Sequence, residues 1–189
     1  MGLHIQSLKS IPENVQRDYF IYLLDYGWDE PLGEVLVRNF DKMAKVAAES
    51  NAVVIVGTDR VHFEDEVFSW HSINGEDAKQ LLPAILITNR HPSKFRESYG
   101  RSRTLMVEEN LKFILIPLKK FCENTTDVVT LIDKLFRDIQ SQKDLSEFSI
   151  EREMKKGIGR AIVDGIVLKP NIYGFGYDFN SIINFFKEK

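Results

Sequence analysis

The chain has 189 residues, 43% of them apolar and 28% charged, with a net charge of −3 and a single cysteine, Cys122. No apolar run reaches the roughly 18 residues that span a bilayer, no apolar leader opens the chain, and one cysteine excludes an internal disulfide. These features predict one well-buried domain with additions, in a reducing cytoplasmic setting.

The first element is a strand. Residues 19 to 26 (YFIYLLDY) are short, apolar, aromatic and β-branched. Pro31 then stands where a first-turn proline is tolerated. Leu32, Val35, Leu36, Phe40, Met43 and Ala47 recur at helical spacing, which predicts a helix to about Glu49. Residues 52 to 57 (AVVIVG) form a continuous apolar run, as in a strand covered on both faces. Residues 58 to 73 are polar and fit either a hairpin or a short helix. Glu76 to Leu82 predicts a short helix stopped by Pro83.

Two more strands follow, at 84–88 (AILIT) and 111–116 (LKFILI). The cleanest helix comes next. Val128, Leu131, Ile132, Leu135, Phe136 and Ile139 share one face, with Thr125 or Thr126 as N-cap and Asp127 in the first turn. Residues 148 to 165 carry a weaker helical pattern, broken by glycines. Leu168 to Tyr177 is too rich in Gly and Pro for a regular helix. A last short helix after Asp178 places Phe179, Ile182, Ile183 and Phe186 on one stripe.

The order is β-α-β-α-β-β-α. Between the first strand and first helix stands Trp28-Asp29-Glu30-Pro31-Leu32. This turn resembles the thioredoxin active-site turn, W-C-G-P-C. Trp28 and Pro31 match, while Asp29 and Leu32 stand where the family carries its two thiols. Pro83, just before the 84–88 strand, stands where the family carries a cis-proline facing that turn. The resemblance covers roughly residues 19–142. It implies an α/β, thioredoxin-like three-layer sandwich with a mixed central sheet. Residues 1–18 would form an N-terminal arm. Residues 143–189 would be a C-terminal extension packing on the domain or on a partner.

The family's chemistry needs a thiolate at the helix N-terminus. Asp29 and Leu32 cannot supply one, so thiol–disulfide exchange is excluded by residue type. No P-loop, G-x-S-x-G, C-x-x-C or H-E-x-x-H motif occurs. No catalytic residue, cofactor or metal is therefore expected.

The strongest charge feature is residues 90 to 103. Five basic residues and one Glu give this stretch a local charge of +4 on a chain of total −3. It opens a connection of about twenty residues where a hairpin usually needs two to five. Arg90, Lys94, Arg96, Arg101 and Arg103 interleave with Phe95 and Tyr99. Arg and Tyr suit an acidic protein surface; the same mix suits phosphates and stacked bases.

The expected function is thus a non-catalytic binding or adaptor subunit of a larger assembly. It would contact another protein through the basic loop and the Phe179, Ile182, Ile183, Phe186 stripe. The alternatives are a nucleic-acid-binding module using the basic loop and a hydrolase using His62, Glu64, Glu66 and His71. No contact with a membrane is expected.

Overall fold

The computed structural model describes residues 1–27, 30–71, 73, 81–98 and 111–150, and the backbone of 167–168. The elements are β1 (Gly2–Ile5), a 3₁₀ turn (Leu8–Ser10), β2 (Tyr19–Leu24), α1 (Pro31–Arg38), α2 (Phe40–Glu49), β3 (Ala52–Gly57) and α3 (Arg60–Trp70). They continue with β4 (Ala84–Thr88), α4 (Pro92–Ser98), β5 (Phe113–Pro117), α5 (Leu118–Phe121), α6 (Thr125–Gln140), a 3₁₀ turn (Leu145–Glu147) and β6 (Val167–Leu168).

The strands form one mixed sheet in the order β1-β3-β2-β4-β5-β6. β1, β3 and β2 run parallel, while β4, β5 and β6 each run antiparallel to the preceding neighbour in that order. All six residues of β2 and all six of β3 are buried. This is why both segments read as continuous apolar runs: alternate side chains go to opposite faces, and both faces are covered.

Tyr19, Ile21 and Leu23 face α1, α2 and α6, where Leu36, Met43, Leu131 and Leu135 complete one core. Phe20, Tyr22 and Leu24 face the other side, with Phe63 and Val67 of α3, Phe95 of α4 and Leu8. Burying each such side chain contributes roughly 1.5–3 kcal/mol. The architecture is therefore an α/β sandwich with helices on both faces of a mixed sheet.

Several expectations change. The arm at residues 1–18 is not separate, because Gly2–Ile5 pairs with β3 from Val54 to Gly57. The polar 58–73 stretch is mostly α3, an 11-residue helix capped by the Asp59 side chain. The single helix expected to Glu49 is two, divided at Asn39, whose Nδ2 donates to Val35 O at 2.8 Å. The Asn39 backbone N–H also donates to Val35 O, so the residue caps the first helix with both groups. The long helix is capped by Asn124 rather than by either threonine. Asn124 Oδ1 accepts from Asp127 N, and Asp127 Oδ2 accepts from Asn124 N, forming a capping box.

The first described residues of the expected C-terminal extension pack on the domain. Leu145, Phe148 and Ile150 belong to the α6-side core. Asp138 holds them there, accepting from Ser149 Oγ at 3.0 Å and from Lys143 Nζ. The expected 76–82 helix falls outside the described residues except at its end, Leu81 and Leu82, which are buried.

Gly57 closes β3 directly under α3. A Cβ there would sit 2.3 Å from Phe63 Cβ. Phe63 is fully buried and cannot swing away. Gly57→Ala should therefore lower unfolding stability by about 1–3 kcal/mol, as overpacking does. Urea titration would read it, and an unchanged midpoint would contradict this packing.

Candidate functional site

The C-terminal ends of β2 and β3 lie side by side, because the two strands are parallel neighbours. The chain leaves β2 into α1 on one face of the sheet and leaves β3 into α3 on the other. Such divergence opens a crevice at the strand ends, the common location of ligand sites in α/β sheets.

Here the crevice is an acidic hollow of about 770 Å³. Asp25, Tyr26, Gly27, Glu30 and Glu34 line its α1 side, and Thr58, Asp59 and Val61 line its α3 side. Sequence reasoning did not find it. Its four acids lie on two segments that only the β2–β3 pairing brings together.

The hollow is held from both faces. Gly27 turns the chain with φ 75°, and its N–H donates to Asp25 Oδ1 at 3.1 Å. Gly33 lets α1 approach Asp25, because a Cβ at 33 would meet Asp25 Cγ at 2.7 Å. From the opposite face, the buried Glu64 carboxylate accepts the Asp25 N–H at 2.7 Å. Burial, with Asp65 and Glu64 nearby, pushes the Tyr26 hydroxyl up to about 12, so it stays protonated.

Glu30 pairs with Lys119 at 2.7 Å, and Glu34 pairs with Arg38 at 2.7 Å. Residue 118 ties the same region to Pro83: Leu118 N–H donates to Pro83 O at 2.8 Å. The Leu82–Pro83 peptide is cis. Pro83 directly precedes Ala84, which pairs with Leu24. It therefore enters the sheet beside the β2–α1 turn. Of that turn, Pro31 is exposed, Leu32 is half-buried against the α6-side core, and Trp28 and Asp29 lie outside the described residues.

The four hydrolase candidates do not converge. His62 is exposed on α3. Glu64 serves the Asp25 N–H, and Glu66 accepts from Ser7 Oγ at 2.8 Å and Leu8 N at 2.7 Å. His71 is buried under α4. An exposed strand would have aligned His62, Glu64 and Glu66 on one face; the helix turns them to three different partners. Among the described residues, no three His, Cys, Asp or Glu side chains gather as metal ligands do.

The basic segment is also rearranged. It begins as α4 rather than as a plain loop. Phe95 is a core residue, 3% exposed, and is not available to a partner. Arg96 is exposed and lies over the Trp70 ring at 4.8 Å. Arg90 is exposed and Lys94 half-buried. Tyr99, Arg101 and Arg103 fall outside the described residues, as do Phe179, Ile182, Ile183 and Phe186. No helix among the described residues is long and apolar enough to cross a membrane.

Chemically, two of the four carboxylates of the hollow are already paired with Lys119 and Arg38, and no thiol stands among its lining residues. The chain's cysteine lies in the α6-side core. Burial, with Asp127 nearby, pushes the Cys122 thiol up to about 11. Compared with known protein families, characterised proteins and solved structures, the chain matches none. A two-unit rise cuts the thiolate fraction about 100-fold. Native Cys122 should thus react with an aromatic disulfide at least about 100-fold more slowly than the urea-unfolded chain at mildly alkaline pH. Comparable rates in the two states would place Cys122 at the surface.

Proposed function

We propose that the protein is a redox-inactive, thioredoxin-like binding module that acts as an accessory subunit of a larger protein assembly. The observation carrying this reading is the path of the chain through the sheet. It runs β2, α1 and α2, β3, α3, β4, β5, α6, with α4 inserted between β4 and β5. A cis proline enters β4 beside the β2–α1 turn. In that turn, the positions of the family's thiols hold Asp29 and Leu32.

Loss of the thiol pair supports binding over the family's redox chemistry. Among the described residues, the end of the sheet presents carboxylates and no thiol. Fold likeness alone does not carry function; the missing thiol pair and the protonated, buried Cys122 do. At the opposite end of the sheet, Arg90 and Arg96 are the described part of a basic contact surface.

The architecture is tested by restoring the thiols. Asp29→Cys combined with Leu32→Cys should form an internal disulfide on oxidation and gain insulin-reducing activity, while the parent chain has none. A double variant that remains a dithiol under oxidant would remove the thioredoxin-like reading. The role is tested separately by purifying the tagged chain from its own cells at low salt. A stoichiometric second protein should co-elute, and Arg90→Ala with Arg96→Ala should weaken that association without altering the melting curve. Elution alone at every ionic strength would remove the subunit reading.

A further inference from the structure

β1 closes one side of the sheet. β3 pairs with its inner edge, and among the described residues no strand pairs with its outer edge. The inner bonds show which groups are left. Met1 O accepts from Val54 N at 2.8 Å, and Ile5 O accepts from Thr58 N at 2.9 Å. Bonding residues alternate along a ladder, so Met1, Leu3 and Ile5 turn their backbone groups to β3. Gly2 and His4 turn theirs outward. Such an edge is a template for another strand, and proteins usually blunt it with Lys, Pro or a bulge. Residues 1–8 (MGLHIQSL) carry no charged side chain and no proline.

The edge is also held in place. The Met1 amine donates to Ala44 O at 2.8 Å and to Ala52 O at 3.3 Å. A Cβ on Gly2 would lie 2.6 Å from Ala44 Cβ, so β1 runs tight against α2. The His4 ring packs on Phe40 of α2, with centroids 4.4 Å apart. A strand already fixed by its own domain loses little freedom when it pairs.

We propose that β1 is a homodimer interface: the β1 strands of two copies pair antiparallel about a two-fold axis at Leu3 and join the two sheets into one. The choice of a second copy rests on how the edge matches itself, which a two-fold axis demands. With Leu3 opposite its own copy, Gly2 stands opposite His4. Gly2 N–H then donates to His4 O, and His4 N–H donates to Gly2 O, each bond being made twice by symmetry. Both outward residues of β1 are thereby satisfied. The two Leu3 side chains meet at a non-hydrogen-bonded position, where Cα atoms lie about 4.5 Å apart. Leu3 and Met1 are half-buried on the α3 side, and there Met1 falls opposite Ile5, so the new contact is apolar. Charge does not oppose the approach. On α2, the helix beside β1, the exposed Asp41, Lys42, Lys45 and Glu49 balance in sign. An unrelated extended segment would satisfy the backbone without this matched register. The interface stands or falls apart from the thioredoxin-like reading.

Sedimentation velocity on the full chain, over about a hundredfold range of concentration, should show a reversible monomer–dimer equilibrium. His4→Pro removes an outward N–H and no bond to β3, as prolines on sheet edges do. It should weaken the dimer at least about tenfold and leave the circular dichroism spectrum unchanged. Leu3→Cys should cross-link into a covalent dimer under mild oxidant, because the pair lies within the Cα range of disulfides, about 4.4–6.8 Å. The parent chain, with Cys122 buried, should not cross-link. A parent that stays monomeric at every concentration overturns the proposal, whatever other partner binds the edge. So does a folded His4→Pro variant that dimerises as tightly as the parent. Should His4→Pro fail to fold, Leu3→Cys decides: a parent that dimerises while Leu3→Cys gives no cross-link uses another surface, and the proposal falls.

Discussion

The structure depends on β2. It pairs with β3 on one edge and β4 on the other, and all six of its residues are buried. A strand so placed needs apolar cover on both faces. The chain supplies it by sending α1, α2 and α6 to one face and α3 and α4 to the other. The side-chain period of two fixes which residue meets which helix: Ile21 and Leu23 meet one layer, Tyr22 and Leu24 the other. A one-residue slip would exchange the two sets and bring each against a layer shaped for the other.

The hollow is a by-product of that division. Because α1 and α3 depart to opposite faces from adjacent parallel strands, no helix can cover the strand ends between them. The walls are then tied across the gap by side chains of α3. Glu64 reaches the Asp25 N–H, and Glu66 reaches the backbone and hydroxyl of the segment after β1. Buried or half-buried carboxylates are costly unless hydrogen-bonded, and these two take the loop donors that would otherwise be orphaned. Their role is structural, and it positions the hollow.

The elements legible in the sequence were those whose burial follows a simple period. AVVIVG and AILIT mark their strands to the residue, and the α6 stripe marks its buried face. α3 was ambiguous because its acids point inward to backbone donors, which blurs the apolar stripe that marks a helix. β1 is four residues long, and only its pairing with β3 reveals it. Phe95, set among bases, carried the composition of a stacking residue. Its place in the core depends on His71 and Phe113, from distant parts of the chain. The acidic hollow was invisible for the same reason: Asp59 meets Glu30 and Glu34 only through the sheet.

Charge is also distributed by the sheet. β4 runs antiparallel to β2, so the exit from β4 lies at the entry to β2, with Thr88 opposite Phe20. Arg90, Lys94 and Arg96 therefore sit at one end of the sheet, and the acidic hollow sits at the other, about 20 Å away for a six-residue strand. That distance exceeds the screening length of about 8 Å at physiological salt, so the charges of the two ends are screened from one another. A body with opposite charges at its two ends gains orientation from them before it gains affinity. Under the proposed reading, a frame that lost its thiol pair keeps two usable ends of opposite sign. The acidic end is braced by salt bridges and hydrogen bonds to both helical layers, and the basic end rides on a seven-residue helix whose Phe95 packs on the buried His71 ring.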